Sequence, residues 1–280
     1  KSCGIGVRLF LEWVRDPRWT TIKVVGPSQD HLEENLFSHL VSLHKQSKIK
    51  MPGTIGQLFI GLDRRDLTSA IKGVIIPVGK NKKAGKLQGA KRKPRDKPHS
   101  VFGKLSRLFV FLDEIENVPG GVWFDIDNLF SNYEESQKET LRIFGAYNPS
   151  NPGDKVAQAA EPPFGWKDFD VDRHFEWDSV RGWHVLRLDA ERCENVIEDK
   201  VLFPGLQTRS GLEVLAKNNG GRQSAGYHTF GRGAYPPQGA AMSVFAPGLL
   251  GRMRGEYIWL DDPYAVAGAD LALGGGANTC

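Results

Sequence analysis

A run of apolar residues that ends in two neighbouring carboxylates constrains the fold of this chain more than any other segment. Residues 108–112 read LFVFL, and Asp113 and Glu114 follow directly. A continuous apolar run, without polar residues at every second position, is typical of a parallel strand whose two faces are both covered. The run therefore predicts an α/β domain in which this strand is central. Its two carboxylates should stand at the carboxyl end of the strand, where ligands of open α/β sheets bind.

Shorter apolar segments before and after this run favour the same fold class. Strand-like segments lie at residues 20–25, 58–62, 74–78 and 141–146. Apolar residues at helical spacing predict helices over residues 3–14, after Ser28 and over residues 126–133, and the hydroxyl of Ser28 is a suitable N-cap. Strands that alternate with helices predict a mostly parallel sheet.

Composition excludes several classes of protein. The 280 residues are 40% hydrophobic and 25% charged, which argues against a disordered or collagen-like chain. No apolar run reaches the ~18 residues of a membrane-spanning helix, so we expect no membrane span, and we see no secretory signal. Cys3, Cys193 and Cys280 are far apart and odd in number, which argues against a disulfide framework or a four-cysteine zinc site. We therefore expect free thiols in a cytoplasmic protein.

The net charge of +4 is unevenly distributed along the chain. Residues 79–98 contain nine lysines and arginines and one acid, Asp96. One interpretation is a solvated loop, since such a block repels itself. The other is a contact to the phosphate backbone of a nucleic acid, whose strength would fall steeply with salt. The candidate DNA-binding residues are Lys82, Lys83, Lys86, Lys91, Arg92 and Lys93.

The two carboxylates suit nucleotide chemistry. Asp113, at the end of a buried strand, can hold the magnesium ion of a bound nucleotide, and Glu114 can deprotonate the attacking water. A strand that ends in two solvated acids is the alternative, and the motif alone leaves both open. Lys1 and Ser2 directly precede a predicted helix, like the last two residues of a phosphate-binding loop. In such a loop the lysine reaches the β- and γ-phosphates and the hydroxyl binds magnesium.

Two further segments contain candidate residues. The strand at 141–146 continues into Asn148 and Pro149, so Asn148 should lie beside the carboxylates and could respond to the γ-phosphate. A plain strand-terminal turn explains the same dipeptide. Asp270 stands in the middle of the apolar segment 264–273, where a carboxylate needs a partner or a metal ion, and it is therefore a candidate nuclease metal ligand.

Other catalytic chemistries have no motif in the sequence. The seven histidines form no metal-binding pattern, and His31, His39 and His44, which share one predicted helix, are interpreted as surface residues. The chain contains no Gly-x-Ser-x-Gly, His-Glu-x-x-His or paired Cys-x-x-Cys segment. Hydrolases of those classes and zinc sites are therefore not expected.

In this order along the chain, the segments resemble the large terminase subunit of tailed bacteriophages, the ATP-driven motor that packages DNA into a prohead. Lys1 and Ser2 are similar to the end of its Walker A loop, and residues 108–114 to its Walker B strand with the catalytic glutamate. Residues 145–149, GAYNP, are similar to its coupling motif. Residues 267–276, AGADLALGGG, are similar to the first metal-binding strand of its RNase H-like nuclease.

The resemblance implies a P-loop ATPase domain over residues 1–151, a connector over 152–262 and the start of a nuclease domain over 263–280. It implies ATP and Mg²⁺ as cofactors, with a further divalent metal at Asp270. Double-stranded DNA, a portal protein and a small terminase subunit are the implied partners, in a homo-oligomer when active. The implied location is the cytoplasm of the host bacterium and not the mature virion. Because the glycine-rich half of the Walker A loop is missing, we expect an internal segment of a longer subunit that binds ATP poorly by itself.

The resemblance also implies a role for each candidate residue. Lys1 would clamp the phosphates, while Ser2 and Asp113 would hold magnesium. Glu114 would activate water, and Asn148 would transmit the loss of the γ-phosphate. The arginine that stabilises the transition state could be any of three: Arg107, Arg142 or Arg232. Two other functions remain open at this stage, a helicase-like DNA translocase and a non-catalytic phage structural or assembly protein.

Overall fold

A mixed sheet of six strands forms the centre of the part of the chain that the structure describes. The computed structural model describes residues 2–66, 68–76, 87, 94–99, 103–131 and 140–236. The strands are, in chain order, β1 (Thr20–Gly26), β2 (Thr54–Gly56), β3 (Phe59–Gly61), β4 (Ala70–Ile75), β5 (Pro94–His99), β6 (Gly103–Leu105), β7 (Arg107–Asp113), β8 (Leu141–Ala146), β9 (Glu176–Asp178) and β10 (His184–Leu186). The order in the main sheet is β2-β3-β4-β1-β7-β8.

Most of this sheet is parallel. Strands β4, β1, β7 and β8 pair in parallel, whereas β2 and β3 form an antiparallel edge next to β4. The α/β fold class with a mostly parallel sheet is therefore confirmed. The strand predicted at residues 74–78 overlaps β4, Ala70–Ile75, only at its end, and residues 77–78 lie outside the described residues. The start of β4 was missed because Lys72 and Gly73 interrupt the apolar pattern, although both pair with β1.

Strand β7 lies inside the sheet, between β1 and β8, and both of its faces are covered, as its apolar run predicts. All seven of its residues are buried, and it is hydrogen-bonded to β1 on one side and to β8 on the other. One face packs against α1 (Ser2–Arg15), α2 (Gln29–Leu32) and α3 (Ser38–Gln46), and the core there includes Leu9, Phe10, Trp13, Leu36, Phe109 and Phe111. The other face packs against α4 (Gly120–Ser131), with Leu108, Val110, Leu112, Val122, Trp123 and Ile126. Because both faces are covered, the five positions from Leu108 to Leu112 are all apolar.

The helix predicted after Ser28 forms, with an interruption. The Ser28 hydroxyl accepts a hydrogen bond from the backbone N–H of His31 at 3.1 Å, which is an N-cap. A π-helical turn, Glu33–Phe37, separates α2 from α3. π-helical turns occur frequently at functional sites.

Helix α1 runs antiparallel to the parallel strands. Its last turn contacts the start of β7, where Glu12 Oε2 accepts a hydrogen bond from Arg107 Nη1 at 2.7 Å. A helix of 14 residues rises ~21 Å and a strand of seven residues spans ~23 Å, so the two elements have similar lengths. From these lengths we infer that the first turns of α1 lie toward the end of the sheet at which β7 ends, where a Cβ on Gly6 would meet Leu36 of the π-helical segment.

After β8 the chain forms short elements: α5 (Lys155–Ala160), the antiparallel pair β9–β10, α6 (Glu194–Ile197), α7 (Arg209–Asn218) and α8 (Ala225–Phe230). The described residues on both sides of residue 151 belong to one compact unit, and the division of the chain there stays a prediction. Among the described helices, none has the length and apolar character that crossing a membrane requires.

Candidate functional site

The carboxyl ends of β1, β7 and β8 meet at one edge of the sheet and bring the candidate residues together. Asp113 is the last residue of β7 and pairs with Ala146, the last residue of β8. Its side chain is only 4% exposed, whereas that of Glu114 is 37% exposed. The two carboxylates are therefore neighbours in sequence with different environments, one buried and one facing solvent.

Glu114 has a left-handed backbone, with φ of 51° and ψ of 51°. A non-glycine residue in this region costs about 1–3 kcal/mol and persists only where the surrounding structure requires it. The conformation turns the chain abruptly from β7 into a 3₁₀ turn, Ile115–Asn117. Asn117 Nδ2 donates to Glu114 Oε2 at 3.3 Å, which orients the glutamate. A strained residue at the end of a central strand is a usual sign of a functional site.

His31 belongs to this site, although its sequence position was interpreted as a surface residue. Its Nε2 lies 3.1 Å from Asp113 Oδ2, and its Nδ1 lies 3.0 Å from Asn35 Nδ2 and 3.8 Å from Glu114 Oε1. Because a carboxylate only accepts, Nε2 is the ring nitrogen that can donate a hydrogen bond to Asp113. His31 thus orients Asp113 from the adjoining helix.

Gly26, the last residue of β1, allows this helix to approach the sheet so closely. A Cβ at this position would lie 2.6 Å from Leu32 Cδ2 and 3.4 Å from the His31 ring. A side chain here would therefore require Leu32 to shift and would crowd the His31 ring that contacts Asp113. The Gly26-Pro27 pair predicted only a turn, and the role of the glycine follows from the packing.

Asn148 lies beside the carboxylate strand, as predicted, and its partner is a third acid. Its backbone N–H donates to Glu116 Oε1 at 3.1 Å, and its Nδ2 lies 3.4 Å from the same oxygen. Glu116 stands in the 3₁₀ turn that follows Glu114. The turn after β7 and the loop after β8 are therefore joined through one carboxylate, which the sequence analysis did not identify.

Several predicted site residues lie outside the described residues. These are Lys1, Asp270 and the basic residues Lys82, Lys83, Lys86, Lys91, Arg92 and Lys93. Ser2 begins α1, and its side chain is not described. Asp113, Glu114 and Asn148 are thus the candidates that the described structure brings together.

The three candidate arginines lie in different parts of the structure. Arg107 begins β7 and Arg142 pairs with Phe109 in the first half of β8, so both lie toward the opposite end of the sheet. Arg232 is held by Asp172 at 2.6 Å and Asp189 at 2.9 Å. Burial acts to lower the pKa of Arg232, but hydrogen bonds to these carboxylates raise it overall.

Asp113 has the chemistry of a single magnesium ligand. Mg²⁺ in nucleotide sites is held through one or two carboxylates, with phosphate oxygens and water completing the shell. Within the described part of the chain, no group of three or more His, Cys, Asp or Glu side chains could hold a metal ion by itself. A buried, oriented carboxylate such as that of Asp113 fits a site in which the nucleotide and water supply the remaining magnesium ligands. The described side chains do not form a metal site by themselves.

The loop that contains Asn148 is also fixed from the second half of the chain. Thr229 Oγ1, in α8, donates to the carbonyl of Pro149 at 2.9 Å. The neighbouring His228 is 7% exposed and lies close to a network of charged residues, Arg187, Arg232, Asp172 and Glu191. Movement of the Asn148 loop is thereby linked to the packing of α8.

His228 makes the stability of this region dependent on pH. Burial lowers its pKa below the ordinary 6.5, Arg232 and Arg187 lower it further, and Glu191 and Asp172 act in the opposite direction. Below pH 6.5 the unfolded chain binds a proton that the folded chain excludes. We therefore expect the free energy of unfolding to fall with decreasing pH, by up to about 1.4 kcal/mol per pH unit.

Urea denaturation between pH 7.5 and pH 5 checks this expectation, with His228→Gln and the exposed-site control His39→Gln. The His228→Gln variant should lose less stability on acidification than the wild type, and His39→Gln should follow the wild type. Equal acid sensitivity in all three proteins would contradict the assignment.

Comparison of the chain with protein-family models, with curated proteins and with solved structures finds no match. The functional argument therefore depends on the geometry of the site.

Proposed function

We propose that this chain is the ATP-hydrolysing part of a viral DNA-packaging motor, similar to the large terminase subunit of tailed bacteriophages. The observation that carries the proposal is the pair Asp113 and Glu114 at the carboxyl end of the central strand, next to the loop of Asn148. The parallel order β1-β7-β8 is compatible with a P-loop fold. The orientation of α1, whose first turn lies at the same edge, agrees with phosphates bound between Lys1, Ser2 and the carboxylates.

Each residue then has a distinct role in hydrolysis. Asp113, buried and oriented by His31, would hold a magnesium ion together with Ser2. Such an ion would supply positive charge against the β- and γ-phosphates. Glu114, which is partly exposed, accepts the proton of a water molecule whose oxygen forms a bond to the γ-phosphorus, while the bond to the oxygen of the leaving ADP breaks. His31 Nδ1, 3.8 Å from Glu114 Oε1, stands close to this carboxylate.

A route for coupling starts at the same turn. Glu116 lies two residues after Glu114 and accepts a hydrogen bond from the backbone N–H of Asn148. The next residue, Pro149, accepts a hydrogen bond at its carbonyl from Thr229 of α8. A change at Glu114 on loss of the γ-phosphate would reach α8 through two hydrogen bonds. In this proposal Asn148 transmits the product state.

The remaining parts of the motor follow from the same proposal. Double-stranded DNA is the substrate, with a contact by the basic segment at residues 79–98. A portal protein and a small terminase subunit are partners of the homo-oligomeric motor in the host cytoplasm. A nuclease domain with an RNase H-like fold, of which Asp270 is one metal ligand, cuts concatemeric DNA.

Calorimetric titration of ATP into the full-length protein, with and without Mg²⁺, tests the nucleotide site. We expect Asp113→Asn to weaken Mg²⁺-dependent ATP binding by roughly tenfold or more, which corresponds to about 1.4 kcal/mol. The amide keeps the shape of the side chain and an oxygen for His31, but loses the charge that binds the metal.

Asp127→Asn is the matched control, because Asp127 is exposed on α4. This variant removes the same charge and should leave ATP binding unchanged. ATP binding that is independent of Mg²⁺, or equal in the wild type and the Asp113→Asn variant, would overturn the proposal.

A further inference from the structure

Two lysines lie side by side in the middle of the sheet. Lys23 of β1 pairs with Lys72 of β4, and their neighbours in the same row are Val110 of β7 and Phe59 of β3. Adjacent strands are about 4.8 Å apart, and paired positions point to the same face of the sheet. Both lysines are partly buried. Two amino groups are therefore held close together in a row whose other members are apolar.

This row lies on the face of the sheet that α4 covers. The side chains of a strand alternate between the two faces, so Lys23 shares its face with Val25, which belongs to the core under α4. Phe111, two positions before Asp113, belongs to the core on the opposite face. The lysine pair is therefore separate from the proposed nucleotide site.

A carboxylate of α4 faces the same side of the sheet. Asp125 lies three residues after Val122 and four residues before Leu129, and it shares the buried side of the helix with them. Asp125 is 2% exposed, and among the described residues neither of its carboxylate oxygens has a hydrogen-bond partner. A buried carboxylate without a donor is unfavourable, so this position favours a ligand that brings positive charge or a donor.

The surroundings of Lys23 favour its neutral amine. Burial lowers the pKa of Lys23, the charge of Lys72 lowers this pKa further, and Asp125 acts in the opposite direction without cancelling the shift. The neutral amine is the nucleophilic form of lysine. A lysine that is desolvated beside another cationic group is a known arrangement for attack on carbonyl carbon.

We propose that Lys23 is a covalent attachment site for a small aldehyde that carries an anionic group. The nitrogen lone pair forms a bond to the carbonyl carbon, and one N–H proton moves to the carbonyl oxygen. The carbinolamine then loses its hydroxyl and the second N–H proton as water, which leaves a C=N bond. The ammonium group of Lys72 binds the anionic group of the aldehyde. Asp125 balances the positive charge of the imine nitrogen when this nitrogen is protonated.

The test uses pyridoxal 5′-phosphate as the probe on the full-length protein at pH 7.5, with reduction of the imine by borohydride and peptide mapping by mass spectrometry. Each unit by which the pKa of an amine is lowered raises its neutral fraction about tenfold. We therefore expect Lys23 to be labelled roughly tenfold faster than Lys217, an exposed residue of α7. In urea-unfolded protein the two rates should become similar. Pyridoxal, which lacks the phosphate, should label Lys23 more slowly than its phosphate ester does.

Lys72→Met tests the second lysine. The substitution removes both the group that binds the phosphate and the charge that lowers the pKa of Lys23, so labelling of Lys23 should slow by roughly tenfold. Lys167→Met is the matched control, because it removes the same charge from an exposed position. This variant should be labelled at the wild-type rate. Thermal unfolding of both variants verifies that the folded state is kept.

Three results would overturn the inference. Equal labelling of Lys23 and Lys217 in the folded protein would do so without any variant. A rate at Lys23 that Lys72→Met leaves unchanged would do so as well, and so would labelling by pyridoxal that is as fast as labelling by its phosphate ester. The inference does not rest on the proposed function. Because labelling is read residue by residue, protection of Lys1 by ATP would bear on the nucleotide site alone.

Discussion

Replacing Glu114 by glutamine is expected to leave Mg²⁺-dependent ATP binding intact and to lower ATP turnover by roughly 10²–10⁴-fold, the usual contribution of a general base. The glutamine amide keeps the length of the side chain and still offers an oxygen to Asn117 Nδ2, which now contacts Glu114 Oε2 at 3.3 Å. It cannot accept the proton of the attacking water. Steady-state phosphate release and calorimetric ATP binding, both in the full-length protein, separate turnover from affinity.

Glu34→Gln is the control for this measurement. Glu34 is an exposed residue of the π-helical turn near His31, and the substitution changes the same functional group without reaching the site. We expect its turnover to equal that of the wild type. Unchanged phosphate release in the Glu114→Gln variant would remove Glu114 from its proposed role, whatever the binding data show.

The sequence predicted those features that depend on a single segment. The burial of β7 on both faces follows from five consecutive apolar residues, and the N-cap at Ser28 follows from one hydroxyl before a helical pattern. The neighbouring position of Asn148 follows from the rule that parallel strands end at the same edge. In each case local chemistry and the fold require the same arrangement.

Features that depend on contacts between distant segments were missed. His31 and Asp113 are separated by 82 positions, and their contact depends on how closely α2 approaches β1 at Gly26. Glu116 was not considered because a glutamate after a strand has no distinctive pattern, and its partner Asn148 lies 32 positions away. The spacing of histidines along one helix could not show that one of them faces the sheet.

Strand β7 links the two ends of the sheet. At its start, Arg107 is bonded to Glu12 in the last turn of α1, and at its carboxyl end lie the acids of the proposed nucleotide site. The bond between Arg107 and Glu12 therefore holds α1 against the strand that carries this site.

Replacing Arg107 by methionine is expected to lower the free energy of unfolding by about 3–5 kcal/mol, the usual cost of removing one partner of a buried ion pair. The Arg107 side chain is 1% exposed. Its Nη1 donates to Glu12 Oε2 at 2.7 Å, and its Nε and Nη2 donate to Thr20 Oγ1 at 3.1 and 2.8 Å. Burial lowers the pKa of Arg107, and the hydrogen bond to Glu12 acts in the opposite direction. The charged form of the buried guanidinium is therefore stabilised by Glu12.

Glu12 offers an internal comparison, because its other oxygen binds Arg8, whose side chain is 74% exposed. Arg8→Met should change the free energy of unfolding by no more than about 0.5 kcal/mol, as for exposed helical ion pairs. The double variant Arg107→Met and Glu12→Met should recover most of the loss, since no unpaired charge remains. Urea denaturation of the four proteins checks these values. Equal effects of the Arg8 and Arg107 substitutions would show that the buried guanidinium does not fix α1 to β7.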